Sequence, residues 1–166
     1  MSVPYVLNPE LDLVLERVVD VPQEQIWAAW TIAEHLKAWF CPRPWSLAAC
    51  EINLIAGGAF NTTMRSPEGE EFPCDGCYLE VIPPHRLVFT SVLKEGFRPV
   101  PQSELPFTAI IELESVPGGT KYTARAMHAT AEGCQQHVAM GFHEGWNAAL
   151  DQLVEYAKAT WPASTI

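Results

Sequence analysis

The sequence has 166 residues, 48% of them hydrophobic and 18% charged, which suits one globular domain around a single core. Its 20 acidic residues outweigh 10 basic ones, and no cluster of Lys and Arg offsets the net charge of −10. Such a surface repels phosphate, which excludes nucleic acid and anionic lipid surfaces as partners.

The opening stretch MSVPYVLNPELDLVLERVV lacks the basic-then-apolar layout of a signal peptide. No apolar run approaches the ~20 residues needed to span a bilayer. A cytoplasmic protein is expected, with Cys41, Cys50, Cys74, Cys77 and Cys134 as free thiols.

In chain order, Leu11 to Val21 reads as a first strand, ended by Pro22. Pro22 suits a first helical turn, and Ile26, Trp27 and Trp30 then form an apolar stripe. Thr31, with Glu34 three residues on, has the form of a capping box for a second short helix. That helix must stop before Pro42 and Pro44. From Leu47 to His128 strand follows strand, with turn signals spaced as in an antiparallel meander. The longest break, residues 94–106, has three prolines and no periodicity, and reads as a mobile rim loop. From Glu132 a helical period runs to about Ala159. The expected fold is one α+β domain over residues 1–166, its core at about 11–160.

Alternation along the strands places Phe60, Thr62 and Met64 on an inward face. So it does Cys77, Leu79 and Val81; Leu87, Phe89 and Ser91; and Phe107, Ala109, Ile111 and Leu113. Tyr122, Ala124, Ala126 and His128 complete the set, opposite Lys121, Thr123, Arg125 and Met127. Small alanines on an inward face leave volume for a cavity.

The last helix contains HEGWN, His143 to Asn147, which begins like the zinc-protease signature. Two histidines four apart are needed to reach one metal, and Asn147 stands at the second position. At about 100° per residue Val138, Phe142, Gly145, Trp146, Ala149, Leu150, Leu153, Tyr156 and Ala157 share one arc. Glu144 lies opposite and His143 at the border, so this is a packing helix and no metal site is expected. Gly141 and Gly145 weaken a helix, and serve there to admit either the sheet or a ligand. The CDGC motif, Cys74 to Cys77, is half a zinc knuckle, whose sulfurs meet only if the chain turns at Asp75-Gly76.

RVVDVPQEQIWAAWTIAEHLKAWFCP, with Pro22, Trp27, Trp30, Thr31, Trp39, Phe40 and Pro42, resembles the opening of a known family, the homologues of the heat-shock-protein-90 ATPase activator. GGAFNTTMRSPEG, GCYLEVIPPHRLVFT and HVAMGFHEGWNAALDQL resemble that family's later signatures. The family belongs to the START-like, or SRPBCC, superfamily. The resemblance implies a helix-grip fold, in which an antiparallel sheet of about six to seven strands curves around the long C-terminal helix and leaves a cavity. Two short helices follow the first strand.

The expected function is cytoplasmic binding of a small hydrophobic or aromatic ligand, with no cofactor. Thr62, Ser91, Tyr122 and His128 would orient it. Trp39, Phe40 and Trp45 would line the entrance, with residues 94–106 as a lid, and Phe60, Leu79, Phe89, Phe107, Gly141, Phe142 and Trp146 would form the walls. One alternative is a cyclase or hydrolase in the same cavity, with His128 or His143 as general acid/base. Another is a chaperone-regulating interaction module, which would show an exposed patch rather than a pocket. Eukaryotic relatives of that kind carry an additional N-terminal domain for which this chain has no room. Free sheet edges suit a homodimer.

Overall fold

The computed structural model describes residues 2–162. Strand β1 (Asp12–Val19) is followed by helices α1 (Gln23–Thr31) and α2 (Ala33–Trp39). Then come β2 (Ser46–Ile52), β3 (Phe60–Arg65), β4 (Glu71–Cys74), β5 (Cys77–Ile82) and β6 (Arg86–Thr90). A two-strand ribbon, β7 (Leu93–Lys94) and β8 (Arg98–Pro99), precedes the long hairpin β9 (Thr108–Val116) and β10 (Gly119–Met127). Helices α3 (Ala131–Ala139) and α4 (Phe142–Thr160) close the chain. Among the described residues no helix is long and apolar enough to cross a membrane.

All strand pairs are antiparallel, in the order β1-β10-β9-β6-β5, with β2-β3-β4 beside them. The two parts join where the lead into β3 pairs with β5: Ala59 bridges Cys77, and Phe60 N–H donates to the Gly76 carbonyl at 2.9 Å. β4 and β5 thus act as one strand bent at Asp75-Gly76, and the whole is a seven-strand curved sheet. α4 lies in its concave face, which is the helix-grip arrangement.

The concave face is apolar because the alternation of β6, β9 and β10 is unbroken. Leu87 and Phe89, Ala109, Ile111 and Leu113, and Tyr122, Ala124 and Ala126 are all buried there. α4 meets it with Ala149, Leu150, Leu153 and Ala157, which share one core with Ile26, Ala29 and Trp30 of α1. Arg17 of β1 holds the helix at its rim, pairing with Asp151 at 2.7 Å and donating to Asn147 Oδ1 at 3.3 Å.

Several local expectations are corrected. The capping box does not form. Thr31 ends α1, with its hydroxyl donating back to the Trp27 carbonyl at 2.7 Å, and Ile32 precedes α2 without a side-chain cap. Instead of one long final helix there are two, because Gly141 adopts φ 94° and ψ 36°, a left-handed conformation that glycine takes without steric cost. Val138, assigned to the arc of a continuous helix, is therefore 42% exposed on α3. The 94–106 segment is not structureless, since it carries the β7–β8 ribbon, and Gly96 N–H donates to the Gly57 carbonyl at 2.8 Å. Leu79 sits at a register shift between Tyr78 and Glu80. This bulge reverses the alternation, so Tyr78 takes the inward place expected of Leu79 and stacks on Phe60 at 5.2 Å.

The CDGC sulfurs do not meet. Cys74 is exposed and Cys77 fully buried, as expected of residues on opposite faces of a continuing strand. The glycine has a different purpose here. A Cβ on Gly76 would stand 2.6 Å from the Phe60 carbonyl oxygen, so the two sheet parts join only without a side chain at this point. Gly76→Ala is expected to lower stability by about 2 kcal/mol in urea unfolding, while exposed Asp75→Ala stays within about 0.5 kcal/mol of the parent.

Candidate functional site

Between the N-terminal half of α4 and the sheet lies a cavity of about 300 Å³. β6 supplies Phe89, β10 supplies Tyr122, and Leu105 and Phe107 come from the segment entering β9. Trp30, Trp39, Phe40 and Pro42 form a second wall, and Phe142, Gly145, Trp146 and Ala149 of α4 a third. His137 of α3 closes one end with Gly141, and Met64 and Met140 stand at the exposed mouth.

The aromatic rings brace one another. Trp30 meets Trp39 edge-on at 5.0 Å and Phe40 at 5.8 Å, while Phe142 lies 4.6 Å from Trp146 and Phe107 4.9 Å from His137. Their polar atoms are mostly satisfied within the wall. Trp30 Nε1 donates to the Tyr122 hydroxyl at 3.1 Å, and Trp39 Nε1 to the Ala29 carbonyl at 3.0 Å. Burial raises the Tyr122 pKa, so its hydroxyl stays protonated. Among the described residues no Asp, Glu, Lys or Arg lines the cavity.

His137 is 6% exposed, and its Nδ1 lies 2.9 Å from Nε2 of equally buried His128. Burial, with His128 as a secondary cause, lowers the His137 pKa from 6.5 to about 4. His128 Nδ1 in turn faces the Leu11 carbonyl at 2.8 Å.

A second depression, on the convex face, has about 380 Å³ and lies among charges. Those charges neutralise one another: Arg86 pairs with Glu80 at 2.6 Å and with Glu112 at 2.9 Å, Arg125 pairs with Glu112, and Lys121 with Glu16 at 3.5 Å. Little there remains to attract a ligand, and the apolar cavity is the better candidate.

Of the residues expected at the site, Trp39, Phe40, Phe89, Phe107, Tyr122, Gly141, Phe142 and Trp146 do line the cavity. The others do not. Trp45 packs on Phe72 at 5.6 Å and does not line the cavity. Phe60 fills core space behind Phe89, 4.7 Å from it. Thr62 shares the face of Met64 but stops short of the wall, and Leu79 is displaced by the bulge. Ser91 ties the chain instead of facing a ligand: its hydroxyl donates to the Leu105 carbonyl at 3.1 Å and accepts from Phe107 N–H at 3.1 Å. His128 stands behind His137, and His143 is exposed outside the cavity.

The sequence reading missed Trp30, Pro42, Met64, Leu105, His137, Met140 and Ala149 as lining residues, and left Gly145 open between the sheet and a ligand. His137 is the most consequential. A helix running unbroken from Glu132 would turn it well away from His143, whereas the break at Gly141 lets α3 carry it over His128. A glycine four residues after it was the available signal.

The family model described as Activator of Hsp90 ATPase homolog 1-like protein matches residues 20–158. The chain belongs to this family. The activator-homologue fold is shared along nearly the whole length of a Nitrosomonas europaea protein, at 46% identity and a TM-score of 0.89, covering 93% of this chain and 98% of that one. A Rhodobacter sphaeroides protein is similar at 25% identity and a TM-score of 0.79, covering 92% and 96% of the two chains. An Aeromonas hydrophila protein described as AHSA1-like shares the fold, at 21% identity and a TM-score of 0.72 over 94% and 98%. No curated protein matches the chain at a significant level.

In this chain a Cβ added at Gly145 would meet only the Pro42 ring, at 3.8 Å, an ordinary contact. Sheet packing therefore does not require that glycine. Gly145→Ala is expected to stabilise the fold by up to about 1 kcal/mol in chemical denaturation, through helix propensity. A protonated His137 is disfavoured in the folded state, so its contribution to stability is present above pH 6.5 and is lost as pH falls towards 4. Denaturation across this range should show a loss on the order of 2 kcal/mol that shrinks in His137→Gln.

Proposed function

We propose that this protein binds a small apolar ligand, aromatic in preference to aliphatic, in the cavity between α4 and the sheet. One observation carries the reading: a cavity of about 300 Å³ walled by aromatic rings, with no fixed charge among the described lining residues. That volume is at the small end of the usual range for ligand pockets, about 300–1,000 Å³, and suits one or two rings better than a long acyl chain. Trp30, Trp39, Phe89, Phe107, Phe142 and Trp146 are the proposed contacts. Burying roughly 200 Å² of apolar ligand surface is worth about 5 kcal/mol before ordering costs, which points to modest affinity.

The cyclase or hydrolase alternative asks for a titratable pair facing the substrate. His137 is held neutral and its partner is a second histidine, an arrangement better suited to positioning a ligand than to moving its protons. Chaperone regulation rests on the family description alone.

Titration with naphthalene, followed by amide chemical shifts, tests the proposal. The expected shifts cluster at Leu105, Gly141 and Gly145 and disappear in Ala149→Leu, whose added methyls occupy the cavity. Unchanged spectra up to the solubility limit would sink the reading.

A further inference from the structure

His137, in the cavity wall, has one ring nitrogen to which no described residue donates. His128 Nδ1 faces a carbonyl oxygen, that of Leu11 at 2.8 Å, and a carbonyl only accepts. That nitrogen therefore carries the hydrogen, and in a neutral ring Nε2 is left as a lone pair. His137 Nδ1, 2.9 Å away, must then be the donor of the second bond. A neutral imidazole has a single N–H, so His137 Nε2 is an acceptor. Among the described residues nothing donates to it, although the side chain is 6% exposed and its ring forms part of the cavity wall. The low pKa of His137 is consistent with this, since the ring does not gain a proton of its own at neutral pH.

An occupant without a donor leaves this lone pair dry and unpaired, which is unfavourable. An anionic occupant would find no cation among the described lining residues and would face the same lone pair. Building on the cavity reading above, we propose that the ligand is a small neutral aromatic bearing a hydroxyl or N–H group, a phenol in the simplest case, which donates its hydrogen to His137 Nε2. The histidine relay anchored at Leu11 selects this donor.

The test compares naphthalene, 1-naphthol and 1-methoxynaphthalene at about pH 7.5, where imidazoles of ordinary pKa near 6.5 are mostly neutral. The methoxy compound keeps the oxygen as an acceptor and deletes only the donor. Amide-shift titrations of the parent are expected to give 1-naphthol an affinity about 5-fold or more above 1-methoxynaphthalene. His137→Phe should bring that ratio to about 1 while naphthalene still binds, which also reports an intact cavity. If the parent binds naphthalene but the two oxygenated probes equally, the donor assignment is wrong and the cavity reading stands. If none of the three binds, both fall. Long-range proton–nitrogen spectra of the parent alone read the tautomers directly. Hydrogen on Nδ1 of both rings is the expected pattern, and hydrogen on His137 Nε2 overturns the proposal without any variant.

Discussion

A straight helix laid in a curved sheet can touch it closely along only part of its length. Everything distinctive about this molecule follows from where the contact is kept and where it is given up. The C-terminal half of α4 is seated through Leu150, Leu153 and Ala157, each at most 1% exposed, and Arg17 ties the helix to the sheet rim. In the N-terminal half Gly141 and Gly145 present no side chain and Ala149 only a methyl, and the cavity lies between them and Phe89 and Tyr122 of the sheet. At Gly76 a Cβ would stand 2.6 Å from the Phe60 carbonyl oxygen, so the join between the two parts of the sheet is set by backbone shape and not by side-chain size.

The aromatic residues belong to that same constraint. Rings are stiff, and braced edge to face they hold a wall apart where flexible side chains would collapse into the gap. Two of the wall's indole N–H groups are satisfied from within the protein, one by the Tyr122 hydroxyl and one by the Ala29 carbonyl. Polarity inside the cavity is consequently sparse, and its placement is defined by the contact between a strand-borne and a helix-borne histidine.

The general architecture was legible wherever one periodicity held without interruption. Alternation along β9 and β10 placed Ala109, Ile111, Tyr122, Ala124 and His128 inward, and all are buried. The reading failed where a local device changed the count. A bulge exchanged Leu79 for Tyr78, and a left-handed glycine at position 141 divided one expected helix and reoriented His137. Ser91 was placed on the correct face, but nothing in its neighbours signalled that backbone atoms of Leu105 and Phe107 would occupy its hydroxyl. Trp45 shows the limit for aromatic residues near a proline turn, since composition does not say whether a ring will reach the cavity or pack on a neighbour such as Phe72. The family match carries the fold, and the cavity's chemistry has to be read from the side chains of this chain.

The chain has six tryptophans, and three of them, Trp30, Trp39 and Trp146, are set in the cavity wall. Indole emission moves to shorter wavelength as water leaves its surroundings, and a neighbouring chromophore can accept the excitation. The cavity thus carries its own light source. A ligand that filled it would change its colour and brightness, so occupancy would be visible in the unmodified protein, without a label and at concentrations far below those that resonance methods need.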